Sequence, residues 1–410
     1  MSRIVMKFGG TSVATTERIR IVAARVAREV KAGHEVAVVV SAMAGETNKL
    51  VAYVDEVANG YGLLHDYSEY DSIVASGEIV TAGLTALALQ GLGLKSRSWQ
   101  GWQIPIRTDL AHGKARIDEI NGELLIEAME EGVIPVIAGF QGVNQLDRVA
   151  TLGRGGSDTS AVAIAAAINA DRCDIFTDVD GVYTADPRIV PKARKLQQIT
   201  YEEMLELASV GAKVLQTRSV EMAMKHQVRV QVLSSFEDKP GTMMVEEEEM
   251  MEHELVSGIT SDRNEAKVTL LELADRPGVA AGVFGPLNDA NINVDMIVQN
   301  ISVDGKTTDM TFTVPRIELA RTLALFETQK TKLGYKAIQT DGNVAKVSVV
   351  GVGMRSHAGV ALTMFQALGK ESINILVIST SEIKISVLIE EKYTELAVRA
   401  LHSAYGLDAQ

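Results

Sequence analysis

Thr151-Leu152-Gly153-Arg154-Gly155-Gly156-Ser157-Asp158-Thr159 packs three glycines, an arginine, an acid and several hydroxyls into one short stretch, and an alanine-rich run, Ser160 to Ala170, follows directly. Glycines let backbone N–H groups point into one concavity, and a helix start adds partial positive charge. Arg154 supplies a planar fork that suits a carboxylate or a phosphate. The stretch is a turn into a helix, built around a small anion.

Outward from this turn, residues 1–245 alternate short β-branched runs with longer helical patterns. The strand candidates are Ile4–Phe8, Val36–Val40, Val133–Ile137, Asp174–Thr177 and Val228–Leu233. Between the first two lies Thr16–Ala32, with Ile19, Val22, Ala23, Val26 and Val30 on one face. This alternation predicts an α/β fold, a mostly parallel sheet with helices on both sides, whose ligands sit at the carboxyl ends of the strands.

A second glycine element supports that placement. Lys7-Phe8-Gly9-Gly10-Thr11-Ser12 closes the first strand. Its glycines permit close backbone approach, the helix that follows favours negative charge, and Lys7 is a mobile point charge. It is not a P-loop, in which the lysine follows the glycines, nor a dinucleotide-binding GxGxxG. The second strand ends in Ser41-Ala42-Met43-Ala44-Gly45-Glu46-Thr47-Asn48, where Thr47 or Asn48 reads as a helix cap. Ser76-Gly77-Glu78 precedes a helix running from Ile79; Glu78 is a first-turn acid or a partner for a substrate ammonium. Thr177-Asp178-Val179-Asp180-Gly181-Val182-Tyr183-Thr184-Ala185-Asp186-Pro187-Arg188 follows another strand. Its aspartates read as an Asx-turn loop or as organisers of magnesium and a nucleotide. Gly211-Ala212-Lys213 adds a second lysine in an apolar context, and the histidines show no zinc-ligand spacing.

The chain has 410 residues, 46% apolar and 23% charged, enough for two or three domains. A net charge of −13 with scattered lysines and arginines offers no basic face for nucleic acid. Cys173 is the one cysteine, so no intrachain disulfide forms and a reducing compartment is expected. The N-terminus reads as a strand and not a signal peptide. No apolar run approaches the ~18 residues of a membrane span, so a cytoplasmic protein with no membrane partner is expected.

The α/β pattern breaks at Glu237–His253, where Glu246 to Glu249 read as a solvated linker and mark a domain boundary. Beyond it the chain repeats itself at a spacing of roughly 80 residues. Glu265-Ala266-Lys267-Val268-Thr269 matches Val344-Ala345-Lys346-Val347-Ser348, Pro277–Ala280 matches Ala358–Ala361, and Asn291-Ile292-Asn293 matches Ser372-Ile373-Asn374. Thr311–Val314 matches Ile385–Leu388 at a slightly shorter spacing. Each unit reads strand, glycine turn, helix, strand, strand, helix, a duplicated small α+β domain. The expected division is 1–245, a linker and first regulatory strand at 246–263, then 264–340 and 341–410.

Taken together, Lys7–Ser12, Ser41–Met43, Ser76–Glu78, Gly139–Gly142, Leu152–Thr159, Thr177–Arg188 and Val210–Lys213 resemble the motifs of the aspartate kinases, in the amino-acid kinase superfamily. The resemblance runs through the whole chain, and the repeat resembles that family's paired ferredoxin-like ACT domains. A variable-looking insertion at 61–70 has no reading. The resemblance implies a three-layer α/β/α catalytic domain and Mg-ATP-dependent phosphorylation of the aspartate β-carboxylate, the first step of lysine, threonine and methionine biosynthesis. It implies Lys7, Asp158 and Lys213 as catalytic residues, with Asp158 orienting Lys7 or the substrate amine. Lys7, Phe8, Gly9, Gly10, Thr177, Asp178, Tyr183, Asp186, Arg188 and Lys213 would hold ATP. Arg154 would grip the α-carboxylate, Glu78 the ammonium, and Ser41, Thr47, Gly155, Gly156 and Ser157 would complete the substrate site. No dedicated protein metal site is assigned. Amino-acid effectors, lysine, threonine or both, would sit at Asp275, Asn293, Asp295, Gln299, Val360, Ala361, Asn374, Ile375, Ser381 and Glu382. The ACT domains would join chains into a homo-oligomer or heterotetramer, with Met250 and Met251 standing where an internal start could produce a separate regulatory subunit. Another amino-acid kinase, or an amino-acid sensor without turnover, are the competing readings; intact Lys7, Lys213, Asp158 and Asp178 oppose the second.

Overall fold

The computed structural model describes residues 2–61, 67–211, 214–250, 255–301, 305–357 and 359–408. Lys213, Met251 and the centre of the 61–70 insertion lie outside the described residues. The chain forms two compact units: Met1–Val182, Lys195–Ser209 and Lys213–Met251 make the first, and Tyr183–Arg194, Val210–Ala212 and Glu252–Gln410 the second.

The first unit runs β1 (Arg3–Phe8), α1 (Thr16–Lys31), β2 (Glu35–Val40), α2 (Glu46–Tyr61), α3 (Tyr67–Val74), α4 (Ser76–Gly91) and β3 (Ser96–Trp99). It continues through β4 (Ile106–Thr108), β5 (Ile117–Ile120), α5 (Glu123–Glu130), β6 (Ile134–Ala138), β7 (Gln141–Asn144), β8 (Val149–Thr151) and α6 (Gly156–Ala167). It closes with β9 (Arg172–Thr177), β10 (Gln198–Thr200), α7 (Tyr201–Ser209), α8 (Thr217–His226), β11 (Val230–Ser234) and β12 (Thr242–Val245).

Eight strands form the main sheet in the order β10-β12-β11-β9-β1-β2-β6-β3. All pairs are parallel except β11 with β12. The register sets the carboxyl ends side by side: Phe8 opposite Val40 and Phe176, Val40 opposite Ala138, and Thr177 opposite Ser234. Strand alternation then sorts the faces. Ile4, Met6, Phe8, Val36, Val38, Val40, Ile134 and Val136 pack with Ile19, Val22 and Val26 of α1 and Ala82, Ala86 and Leu89 of α4. The intervening residues, Lys7 among them, face the layer of α6, which is buried around most of its circumference. A small second sheet, β5-β4-β7-β8, carries the chain to the Gly153 turn.

Two expectations change here. Tyr67–Gly91 is long and apolar enough to cross a membrane, with a mean hydropathy of 1.6 over its best window, but half of that window is buried in the unit, where α4 packs on α1, β3 and β6. The segment read as a solvated linker is partly built into the first unit. Thr242–Val245 is a sheet strand, Gln227 donates to Glu246 at 2.7 Å, and Arg229 pairs with Glu249.

The second unit contains β13 (Gly258–Ala274), α9 (Val279–Asp289), β14 (Asp295–Ile301), β15 (Thr307–Pro315), α10 (Leu319–Leu333) and β16 (Ala337–Val350). It ends with α11 (Gly359–Lys370), β17 (Val377–Thr380), β18 (Lys384–Glu390) and α12 (Thr394–Ala404). Its sheet is antiparallel, β14-β15-β13-β16-β18-β17. The two repeats are the two halves of this sheet, each backed by its own helix pair and core. The long strands β13 and β16 serve both. Gly258–Asp262 pairs with Val350–Lys346 of the second repeat, a bulge follows, and Lys267–Leu271 pairs with Asp341–Ala337 in the first.

Candidate active site

Lys7 lies on β1 with its ammonium on the α6 side of the sheet. It is only 7% exposed, and its Nζ lies 2.5 Å from Asp158 Oδ1 in the first turn of α6. The helix can begin there because Gly155 caps it at φ 72°, a conformation that strains any residue with a Cβ. A Cβ at Gly155 would also lie 1.7 Å from Gln216 Cγ. Ser157 and Asp158 are buried just inside the helix start.

The Gly9-Gly10 turn closes over the same strand end. Gly9 N–H donates to Phe176 O of β9 at 3.2 Å, and Ser12 and Ser235 share a hydroxyl–hydroxyl bond. A Cβ at Gly9 would sit 3.5 Å from Lys7 Nζ, so the ammonium lies beside the glycine turn. Thr177 and Asp178 end β9 next door, the Thr177 hydroxyl donating to Asp178 at 3.1 Å.

At the end of β2, Ser41 N–H donates to Phe8 O at 3.0 Å and Ala42 N–H to Glu78 Oε1 at 2.9 Å. α4 starts at Ser76, three residues before the expected Ile79, so Glu78 stands in its first turn. Gly77 allows the approach: a Cβ there would lie 2.7 Å from Ala42 Cβ. Glu78 is 3% exposed, and its Oε2 has no hydrogen-bond partner among the described residues. Burial pushes this carboxyl up to about 7, against the opposing hydrogen bonds from the Ala42 N–H and its own. An ionisable oxygen buried without a partner is costly and marks a place for a cation or a proton. Arg154, by contrast, is exposed and has no partner among the described residues. Thr47 lies within α2, which starts at Glu46, so neither Thr47 nor Asn48 is a cap.

The structure thus brings Lys7, Phe8, Gly9, Gly10, Ser41, Glu78, Gly155, Gly156, Ser157, Asp158, Thr177 and Asp178 to the carboxyl end of one sheet or to the loops that continue it. Tyr183, Asp186 and Arg188 belong instead to the second unit. There Arg188 pairs with Asp186 at 2.7 Å and holds its carboxyl below the usual range. Asp180 is taken by Lys195 at 3.1 Å. The aspartates of this motif therefore do not converge on one ion, and no group of three or more metal-ligating side chains occurs among the described residues. The sequence reading missed the Ala42 N–H, whose place depends on long-range pairing. It also missed Arg218, which donates to Leu152 O at 2.5 Å and Ala115 O at 2.8 Å and so pins the chain entering the Gly153 turn.

In the second unit, Asn293, Asp295 and Gln299 lie on or beside β14, and Asn374, Ile375, Ser381 and Glu382 lie around β17. Asp275 follows β13, its N–H donating to Lys306 O at 2.9 Å. The Val360 side chain is buried in the core of the second repeat, with Ala361 packed against that core, which leaves their backbone as the groups these two residues offer a ligand. Asp295 is bound by Lys346 at 2.7 Å, and Lys346 also takes Glu265 at 2.7 Å. Burial opposes the Lys346 charge, but the two carboxylates outweigh it and raise its pKa.

Comparison with known proteins agrees with this architecture. Residues 2–234 match the amino acid kinase family, and residues 267–328 and 347–405 each match an ACT domain. The chain is 53% identical over 410 residues to an aspartate kinase of Pseudomonas putida, covering 100% of this chain and 98% of that one. Its fold is similar to E. coli aspartokinase III in complex with aspartate and ADP in the R-state, with a TM-score of 0.83, 27% identity, and coverage of 98% of this chain and 99% of that one. The T-state of the same enzyme, in complex with lysine and aspartate, gives a TM-score of 0.76 at 27% identity, with 98% of each chain covered. With a kinase domain, two ACT repeats and this identity over its full length, the chain belongs to the aspartate kinases of the amino acid kinase family.

Proposed function

We propose that this site transfers the γ-phosphoryl group of ATP to the β-carboxylate of L-aspartate, giving 4-phospho-L-aspartate and ADP. Glu78 carries the amino-acid half of the reading: a buried carboxylate oxygen with no partner fits a substrate ammonium. The exposed fork of Arg154 would take the α-carboxylate bidentately. Ser41 and Thr47 would line the end that holds the reacting carboxylate, with Gly155, Gly156 and Ser157 forming the wall at the start of α6.

The nucleophile has an ordinary pKa near ~4 and is already ionised at pH 7, so the site needs no general base. A β-carboxylate oxygen attacks the γ-phosphorus, the bond from that phosphorus to the β,γ-bridging oxygen breaks, and ADP leaves with the electron pair. The difficulty is the approach of two anions. Lys7, oriented by Asp158 at 2.5 Å, and the Gly9-Gly10 turn beside it supply charge and positioning where the phosphoryl group passes. Thr177 and Asp178 would meet the nucleotide at the end of β9, and Lys213 would reach its phosphates. Tyr183, Asp186 and Arg188 stay in the proposal as nucleotide-side residues. Magnesium enters as part of the MgATP substrate.

The lysine named in the E. coli T-state complex supports lysine as an effector of the ACT repeats, with threonine the second candidate. Asn293, Asp295, Gln299, Asn374, Ile375, Ser381 and Glu382 are its proposed surroundings. Residues 1–245 are the proposed catalytic domain and 264–340 and 341–410 the two repeats, with Gly258–Asp262 given to the second by its pairing. A cytoplasmic homo-oligomer joined through the repeats completes the reading. Trapping the acyl phosphate as aspartyl hydroxamate tests the reaction. Product that requires both aspartate and ATP is expected; ATP turnover without hydroxamate would refute the acceptor.

A further inference from the structure

Asp71 has no part in the roles assigned above, yet among the described residues of the first unit it is the acid with 0% exposure. It projects from α3, and no lysine or arginine pairs with it among the described residues; its ring neighbour is the half-buried His112. A carboxylate in such a place needs its lone pairs filled by donors. Four contacts fill them. The Thr151 hydroxyl donates to Oδ1, Gly113 N–H reaches Oδ1 at 3.1 Å and Oδ2 at 3.0 Å, and His112 Nδ1 lies 2.7 Å from Oδ2.

The far side of His112 fixes its hydrogen. Asn144 Oδ1 accepts from Leu146 N–H at 3.0 Å and Arg148 N–H at 3.2 Å, so Asn144 turns its NH2 toward His112 Nε2, 3.2 Å away. An NH2 group only donates, so Nε2 accepts and Nδ1 carries the hydrogen that points at Asp71. Every member of the Asp71–His112–Asn144 chain therefore has one orientation.

The contacts join the two arms of the proposed aspartate clamp. Asp71 O accepts from Ala75 N–H at 3.0 Å, one residue before α4 and three before Glu78, and Gln141 Nε2 holds Ala75 O at 3.1 Å. Thr151 ends β8, three residues before Arg154, and its carbonyl accepts from Ala115 N–H at 2.9 Å. Gly153, between Thr151 and Arg154, stands against the very loop that Asp71 holds: a Cβ there would lie 3.1 Å from Gly113 O. One residue thus ties three pieces together: the Asp71 carbonyl holds the root of the Glu78 helix, and its carboxylate holds the Gly113 loop and the strand that launches Arg154.

We propose that Asp71, acting through Thr151, Gly113 and His112, is a positioning residue that sets the spacing between Glu78 and Arg154 and thereby the affinity for the amino-acid substrate. The proposal rests on the reading of Glu78 and Arg154 as the ammonium and carboxylate clamps. The nucleotide side, Lys7 with Gly9 and Gly10, lies on β1 and its turn and makes no contact with this network among the described residues.

The test is steady-state kinetics on the full-length chain, with aspartate and MgATP varied separately, for Thr151→Val, Thr151→Ser, Asp71→Asn and Arg154→Ala, each with its melting temperature. Thr151→Val keeps the volume and loses the hydroxyl. The expected result is an aspartate KM raised about tenfold or more, with the ATP KM within about twofold of wild type. Thr151→Ser restores the hydroxyl and the aspartate KM, and Asp71→Asn moves in the same direction as Thr151→Val wherever it folds. Arg154→Ala separates the two claims. If it raises the aspartate KM while Thr151→Val and Thr151→Ser both stay at wild type, the positioning role is overturned and the clamp stands. If it leaves the aspartate KM unmoved, the clamp itself falls and the positioning role with it. A Thr151→Val enzyme with lowered stability and equal losses for both substrates reduces Asp71 to a structural anchor, and overturns the proposal.

Discussion

Glu78, the proposed partner of the substrate ammonium, is held in the fold at a cost to stability. Burial raises its carboxyl from the ordinary 4.5 to about 7, so folding takes up a proton between those values. The sign follows: the protonated side chain costs nothing extra below pH 4.5, and stability is lost as the pH rises through about 7. Glu78→Gln should therefore stabilise the ligand-free enzyme at pH 8 by on the order of 1–3 kcal/mol, read as a raised melting temperature, and have little effect at pH 4.5. In the proposed role the same group would tie substrate binding to pH. The wild-type aspartate KM should climb as the pH falls below about 7, because a protonated Glu78 cannot hold an ammonium. In Glu78→Gln the KM should be high and flat across the range; a Gln variant with the wild-type profile would remove Glu78 from the site. Lys7 makes the complementary case. Lys7→Ala should lower kcat by at least ~100-fold while lysine binding to the repeats, measured by calorimetry, remains. Sequence shows Glu78 and Lys7 as an acid and a base near glycines. It cannot show that one lost its second partner and the other found Asp158, because those facts arise between residues far apart in the chain.

At the scale of elements, legibility followed local pattern. The β1, β2, β6, β9 and β11 strands were readable to within about two residues: β1, β2 and β6 are apolar runs buried along nearly their whole length, while β9 and β11 keep a short apolar centre despite Arg172, Asp174 and Gln231. The short strands β4, β5, β7 and β8 were not. They carry Arg107, Asp118, Gln141 and Asn144, and exist because they pair with one another and not because any is apolar. Asp71, His112 and Thr151 escaped for the same reason: they are spread across three elements and meet only after those elements fold. α6 was legible through its glycine start, which carries a sharp consequence. Gly155→Ala must resolve a left-handed φ and a Cβ 1.7 Å from Gln216 Cγ, so it should displace the start of α6 and cut aspartate turnover at least tenfold with a clear drop in melting temperature. In the second unit, β13 and β16 cross both repeats, and Lys346 bonds Glu265 and Asp295 beside the bulge between them. Lys346→Met leaves Glu265 buried without its cation and should destabilise that unit by about 3 kcal/mol, read as a lowered denaturant midpoint.

The whole molecule pairs a phosphoryl-transfer sheet with a duplicated regulatory sheet, and the chain passes between the two units more than once. Tyr183–Arg194, the second half of the motif that ends β9, is part of the second unit, where Ala185 and Val190 belong to the core of the second repeat. A covalent path therefore runs from Thr177 and Asp178, the proposed nucleotide-side residues, directly into the core of the second repeat, a route that the sequence motif read as one continuous loop conceals. Regulation of this kind is a coupling free energy between sites, and it is reciprocal. If lysine weakens aspartate or ATP binding, either substrate must weaken lysine binding by the same factor. The most direct test of the central claim is hydroxylamine trapping with aspartate and MgATP, with and without lysine, in wild type and Glu78→Gln. The account predicts aspartyl hydroxamate formed in step with ADP, suppressed by lysine, and nearly abolished in Glu78→Gln at an aspartate concentration that saturates the wild type. ADP release without hydroxamate, or hydroxamate formed equally well by the Gln variant, would contradict it.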